Sequence, residues 1–184
     1  EGTTTSIRFV YDTLFPFARA HVAAFLDAQW AASEVQSDVD ALRTQAAIDR
    51  RDGLEAPLIP EGTGQDAREA AIANVLWQMD SDRKTTGLKS LQGKIWKQGY
   101  AEGDLKGHVY DDVTPALRAW SRGNVPVYIY SSGSVAAQKL LFAHSIEGDL
   151  TSLLHGYFDT TTGPKKVASS YTAIAEALAL PVGD

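Results

Sequence analysis

The chain has 184 residues, 44% of them apolar, a formal net charge of −6 at pH 7 and a sequence pI near 5.2. This size suits one large domain or a small core with an insertion, and the apolar share excludes a disordered chain. The acidic balance, with no basic cluster longer than Lys165-Lys166, argues against a nucleic-acid or acidic-membrane partner. With no cysteine, disulfide and thiolate chemistry are excluded, which fits a reducing cytoplasm. No apolar run nears the ~20 residues of a membrane span, and the start lacks the basic-then-apolar layout of a signal peptide.

In chain order, Glu1-Gly2-Thr3-Thr4-Thr5 has the composition of a turn with no strand ahead of it, which leads us to expect a missing upstream element. Phe9, Val10, Leu14, Phe17, Val22, Phe25 and Leu26 then recur at helical spacing up to Trp30, and Pro16 is expected to end or kink the first segment. This segment reads as core packing or an interdomain hinge. Ser33 to Arg51 is amphipathic, with Val35, Val39, Leu42, Ala46 and Ile48 on one face, and Gly53 to Gly64, holding Pro57 and Pro60, is a loop. Gln65 to Met79 carries a stripe of Ala67, Ala71, Val75 and Met79; Leu88 to Tyr100 carries Leu88, Leu91, Ile95 and Trp96. Residues 33 to 103 therefore predict an inserted helical bundle of about 70 residues. Lys84, Lys89, Lys94 and Lys97 are available to an anion, but a solvated helix face is the simpler account.

After Gly103 the pattern becomes α/β. Gly107 to Val113 is a loop, and Thr114-Pro115 predicts an N-cap and first-turn proline for a helix ending near Gly123. His108, Asp111 and Asp112 are of metal-ligating type, but lacking a second His or an i,i+4 partner they read better as solvated loop residues. Val125 to Tyr130 alternates as a strand, stops at Ser131-Ser132-Gly133, and a helical pattern starts at Ser134. Two accounts of this junction stand. It is a phosphate cradle at the carboxyl end of a strand, facing a helix dipole, or Ser132 or Ser134 merely caps the helix. Gly148 to Leu154 follows as a turn and short helical piece, Gly156 to Asp159 as a strand, Thr160 to Gly163 as a loop and Lys166 to Leu178 as a helix. Another strand would be expected at Pro181 to Asp184, so the chain is expected to be cut at both ends.

Four groups of residues, in order along nearly the whole chain, carry a resemblance. They are Glu1-Gly2-Thr3-Thr4-Thr5-Ser6-Ile7; Lys84-Thr85-Thr86 with Leu88-Lys89-Ser90-Leu91-Gln92-Gly93; Ser131-Ser132-Gly133-Ser134 with Ala137-Gln138-Lys139-Leu140-Leu141-Phe142; and Gly156-Tyr157-Phe158-Asp159-Thr160 with Gly163-Pro164-Lys165. Together they resemble the enolase-phosphatases (acireductone synthases) of methionine salvage, within the haloacid-dehalogenase-like phosphatase superfamily. The resemblance implies an α/β fold: a Rossmann-like core from residues 1–20 and 104–184, incomplete here, with a helical cap at residues 21–103. It implies a Mg2+-dependent enzyme that enolises 2,3-diketo-5-methylthiopentyl-1-phosphate and removes its phosphate to give the acireductone. A small phosphorylated diketone, with no nucleic acid or membrane, is then the expected partner, and a cytoplasmic monomer the expected state.

In that superfamily an aspartate attacks phosphorus to form an aspartyl-phosphate, and an acid two positions later serves as general acid and base. The resemblance makes Glu1 this second acid and a ligand of Mg2+. It places the phosphoryl oxygens on Ser131 and the backbone N–H groups around Ser132 and Gly133, and it pairs Lys165 with the same oxygens. Lys166, one residue later, is a lesser candidate. The nucleophilic aspartate and the late acidic motif that would complete the metal site are absent from the sequence. Residues 1–184 alone are therefore expected to hold Mg2+ weakly and to lack phosphatase activity, and the Val125 to Tyr130 strand is expected to keep an unpaired edge. A capped phosphatase for another small phosphate ester, and a helical interaction module that has lost catalysis, stand as alternative readings.

Overall fold

The computed structural model describes residues 2–181, so Glu1 and the stretch after Pro181 lie outside the described residues. The described residues fall into two compact units, one of residues 2–10 and 100–181, the other Tyr11–Gly99.

A single turn, α1 (Ile7–Phe9), runs into a π-helical stretch, Val10–Leu14, and then α2 (Phe15–Gln29). The expected break at Pro16 does not occur. Pro16 lies in the first turn of α2, where a missing N–H costs little, and the wider π turns just before it let the chain continue. The Leu14 carbonyl is taken by the indole N–H of Trp96 at 2.8 Å.

Then come α3 (Ser33–Arg51), α4 (Gln65–Asp80) and α5 (Thr86–Glu102), with α4 packed on both α2 and α3. The stripes legible in sequence meet in one cluster: Ala18, Val22 and Leu26 from α2, Val35, Val39 and Leu42 from α3, Ala71 and Val75 from α4, and Leu88, Leu91 and Ile95 from α5. Gly87 permits α5 to approach α3, since a Cβ there would stand 2.9 Å from the Asp38 carbonyl oxygen.

The inward face of α3 also carries two carboxylates, Asp38 and Asp49. Asp49 accepts from Arg83 and, at 2.8 Å, from the Gln45 amide. Asp38 accepts from the Lys94 ammonium at 2.5 Å, and Lys94 also donates to Ser90 at 3.0 Å. Lys94 therefore departs from the solvated face expected for it, because a buried carboxylate on the facing helix draws it inward. Lys84, Lys89 and Lys97 are exposed as expected. A chain of amides completes the buried polarity: Asn74 donates to the Pro57 carbonyl at 2.7 Å, Gln78 to Asn74 at 2.7 Å, and the Thr85 hydroxyl to Gln78 at 2.5 Å.

In the α/β unit, Gly2 (φ +83°) closes the first turn by donating to the Thr5 carbonyl at 2.8 Å. The Ser6 N–H donates to His108 Nδ1 at 3.3 Å, so that nitrogen is an acceptor and the Thr5 hydroxyl, 3.2 Å away, donates to it as well. His108 thus clamps this turn. Asp111 and Asp112 are exposed, and the described residues hold no group of three metal-ligating side chains.

The next helix, α6 (Val113–Arg122), starts earlier than expected. Asp112 is at the N-cap and Thr114 lies inside the first turn, buried and with its hydroxyl unpartnered. The cause is burial of Val113, whose N–H bonds to the Tyr110 carbonyl at 3.0 Å and starts the helix before the threonine is reached.

Strand β1 (Tyr128–Tyr130) pairs in parallel with β2 (Gly156–Phe158), Ile129 opposite Tyr157. It is shorter than Val125 to Tyr130 because Pro126 has no N–H for a ladder. Helices α7 (Val135–Ala143) and α8 (Ala168–Ala177) complete the unit, over a core of Val109, Val113, Leu117, Phe142, Leu150 and Leu154. Gly107 is pressed against α7: its N–H reaches the His144 carbonyl at 2.7 Å, and a Cβ would sit 2.2 Å from the Leu141 carbonyl oxygen. No described helix is long and apolar enough to cross a membrane.

Candidate functional site

The β1–α7 junction brings Ser131, Ser132 and Gly133 together at the carboxyl end of β1. Ser131 continues the pairing by donating its N–H to the Phe158 carbonyl at 3.0 Å, and its side chain is buried. The Ser131 hydroxyl oxygen accepts from the Gly133 N–H at 3.2 Å. Its own proton is therefore free to be donated outward.

The capping role falls to Ser134, whose hydroxyl accepts from the Ala137 N–H at 3.2 Å; Ser132 is exposed and takes no part in it. Among the described residues, the N–H groups of Ser132, Ser134 and Ala136 have no partner. Unpaired N–H groups at the positive end of a helix suit an anion, and the cap at this junction is made by Ser134, which leaves Ser131 out of it.

Two residues that the sequence did not single out as site residues brace the turn. Buried Asp159, just after β2, accepts from the Val135 N–H at 3.0 Å through one oxygen and from the Thr161 N–H and hydroxyl at 2.9 and 2.6 Å through the other. Gln138 on α7 donates to the carbonyls of Gly133 (2.8 Å) and Phe158 (3.0 Å). Both ties join the serine turn to the end of β2. Their signal in sequence is weak, because the bonds of Asp159 to Val135 and of Gln138 to Phe158 join parts of the chain that only folding brings together.

Lys165 lies in the loop after β2, exposed, with its ammonium 5.8 Å from the centre of the Tyr130 ring, and Tyr130 directly precedes Ser131. Lys166 is exposed as well. Gly163 (φ +139°) shapes this loop, for a Cβ there would stand 2.2 Å from the Ser170 hydroxyl. Glu1 lies outside the described residues. The carboxylate beside the turn, Asp159, already accepts three hydrogen bonds, so the described residues alone do not make a Mg2+ site.

A parallel strand pair ending in a serine turn, with a lysine in the following loop and a helical unit inserted between the first turn and this core, is consistent with the expected capped phosphatase of haloacid-dehalogenase type. No family model matches the chain. Individual proteins do: Enolase-phosphatase E1 of Synechococcus elongatus is 52% identical over 178 residues, covering 97% of this chain and 72% of that protein. Enolase-phosphatase E1 of Xenopus tropicalis is 49% identical over 181 residues, covering 96% of this chain and 69% of the relative. The crystal structure of the UTR4 protein of Saccharomyces cerevisiae aligns with a TM-score of 0.71 at 32% identity, covering 98% of this chain and 73% of that one. The chain belongs to the enolase-phosphatase E1 family. The resemblance drawn from the four motif groups, the α/β fold class with a helical cap and the reading as a phosphatase are all borne out.

Proposed function

We propose that these residues serve the conversion of 2,3-diketo-5-methylthiopentyl-1-phosphate to the acireductone, with the α/β unit as the phosphatase core and the helical unit as the cap. The observation that carries the reading is the Ser131 hydroxyl, its oxygen occupied by Gly133 and its proton free, beside the unpaired N–H groups of Ser132 and Ser134. A transferring phosphoryl group carries its charge on equatorial oxygens, and fixed donors that need not reorganise are what stabilise it. Ser131 and the N–H groups around Ser132 and Gly133 hold those oxygens. Lys165 neutralises their charge, and Glu1 moves the proton to and from the leaving and attacking oxygens. Glu1 is also the carboxylate this chain offers to Mg2+, which when bound would neutralise further phosphate charge. The protein acts as a cytoplasmic monomer on a small anionic substrate.

The test is phosphate release by the full-length protein from the diketone phosphate and from sugar phosphates. Preference for the diketone, with Ser131→Ala lowering kcat by about 10²–10³-fold as for loss of a fixed oxyanion donor, is the expected result. Equal turnover of sugar phosphates would overturn the substrate assignment, and an unaffected Ser131→Ala protein would overturn the cradle.

A further inference from the structure

We propose that Tyr130 and Tyr171 are positioning residues for Lys165, holding its loop from both sides and its ammonium from below. This rests on the reading of Lys165 as the phosphate-pairing cation. The loop from Thr160 to Val167 is tied at Thr161 by Asp159 and at the Pro164 carbonyl by the Ser170 hydroxyl (2.9 Å), but neither tie reaches the Lys165 side chain, and Lys165, Lys166 and Val167 are all exposed. Three contacts supply what the loop lacks. The Tyr130 hydroxyl donates to the Gly163 carbonyl at 2.5 Å, two residues before the lysine. The Tyr171 hydroxyl donates to the carbonyl of Lys165 itself at 2.7 Å. The Lys165 ammonium sits 5.8 Å from the centre of the Tyr130 ring, within range of the attraction between a cation and a π face.

The two rings also meet edge to face, centroids 5.7 Å apart at 82°, so each hydroxyl is aimed by the other ring as well as by its own strand or helix. Tyr130 ends β1 and Ser131 begins the cradle turn, so a single strand end places both the donor hydroxyl and the lysine. Freed from these contacts, a lysine stem samples many rotamers, and the charge would spend most of its time away from the phosphoryl oxygens. Only the placement of an existing group is involved, so no bond is made or broken by either tyrosine.

The experiment uses the full-length protein and the diketone phosphate, comparing Tyr130→Leu, Tyr130→Phe and Tyr171→Phe with Lys165→Ala. Tyr130→Leu removes ring and hydroxyl and is expected to lower kcat/KM by about tenfold or more, mainly by raising KM. Tyr130→Phe restores the π face and should recover several-fold of that loss, and Tyr171→Phe should cost about three- to tenfold. Melting temperatures close to that of the parent are expected for the Phe variants. A purely structural role would lower melting temperature in step with activity and leave KM of the folded protein unchanged, which would overturn the proposal. If Lys165→Ala abolishes turnover while every tyrosine variant keeps the parent KM, the positioning role is wrong and the lysine reading survives. If Lys165→Ala is active, the lysine reading falls and takes the inference with it. Should Tyr130→Leu fail to fold, Tyr171→Phe decides, since it deletes only the hydroxyl of an exposed side chain.

Discussion

The two units bury polar side chains in opposite ways. In the helical unit the buried groups pair chiefly side chain to side chain: Asp49 with Arg83, Asp38 with Lys94, Gln78 with Asn74 and Thr85, with Asn74 also reaching the Pro57 carbonyl. In the α/β unit Asp159, Gln138 and Ser131 bond chiefly to main chain. Helices satisfy their own backbone, so polar groups between them can only choose among partners, and this choice fixes which helix faces which. A turn between strand and helix leaves its backbone unsatisfied, and the buried polar groups there give the loop its shape. One arrangement specifies packing; the other shapes a turn.

Breaking the helical arrangement should have the largest effect. Arg83→Ala leaves Asp49, whose side chain is 1% exposed, without its cation and is expected to cost about 3 kcal/mol in urea denaturation. Asp49→Asn should cost less, because the Arg83 side chain, 30% exposed, can turn to water. Equal losses would show that Arg83 is as trapped as its partner.

Next comes Asp159→Asn. It turns an NH2 group toward donors that now meet a carboxylate oxygen, and a loss of about 1–2 kcal/mol is expected. If the α/β polarity shapes the ligand site, KM for the phosphate substrate rises in the same variant; an unchanged KM would confine Asp159 to stability.

Tyr100→Phe should act in the other direction. The Tyr100 hydroxyl is buried without a partner, so its removal is expected to add about 1 kcal/mol. Burial also pushes this phenol up from its ordinary value of 10.0. The folded protein keeps the proton where the unfolded chain gives it up, so this contribution is complete below pH 10 and is lost as the pH climbs beyond it. Urea midpoints above pH 10 should therefore fall less steeply in Tyr100→Phe than in the parent.

The smallest contrast separates two serines. Ser134→Ala removes the cap of α7 and should cost about 1 kcal/mol, whereas Ser132→Ala, on an exposed side chain, should stay within about 0.5 kcal/mol. Thermal melts of the pair resolve them.

Much of the fold could be read from residues because apolar spacing reports burial directly: the stripes of α3, α4 and α5 and the Ser131 junction all lie where periodicity puts them. Asp38, Asp49 and Lys94 escaped because periodicity equates charge with solvent, and only the facing helix shows that each charge has a buried partner. Thr114 was misplaced because its side chain suits a cap while the burial of neighbouring Val113 decides where the helix begins. Ser131 and Lys165 were legible through motifs, but Asp159 reaches Val135 and Tyr130 reaches Gly163 across 24 or more residues, where local pattern carries no signal.

The π-helical stretch Val10–Leu14 bears on how this chain can change length. A π turn holds one residue more than the α turn it replaces, and each residue of a helix advances its azimuth by about 100°. A π stretch therefore absorbs an extra residue within its turn, and deleting a single residue there would let the segment relax to a uniform α-helix with Ala18, Val22 and Leu26 kept in phase, whereas the same deletion inside a uniform stretch would swing one side by that angle. A one-residue change of length is thus absorbed at this point rather than passed on as a turn, and the Leu14 carbonyl, fastened to Trp96, marks where the absorbing stretch ends.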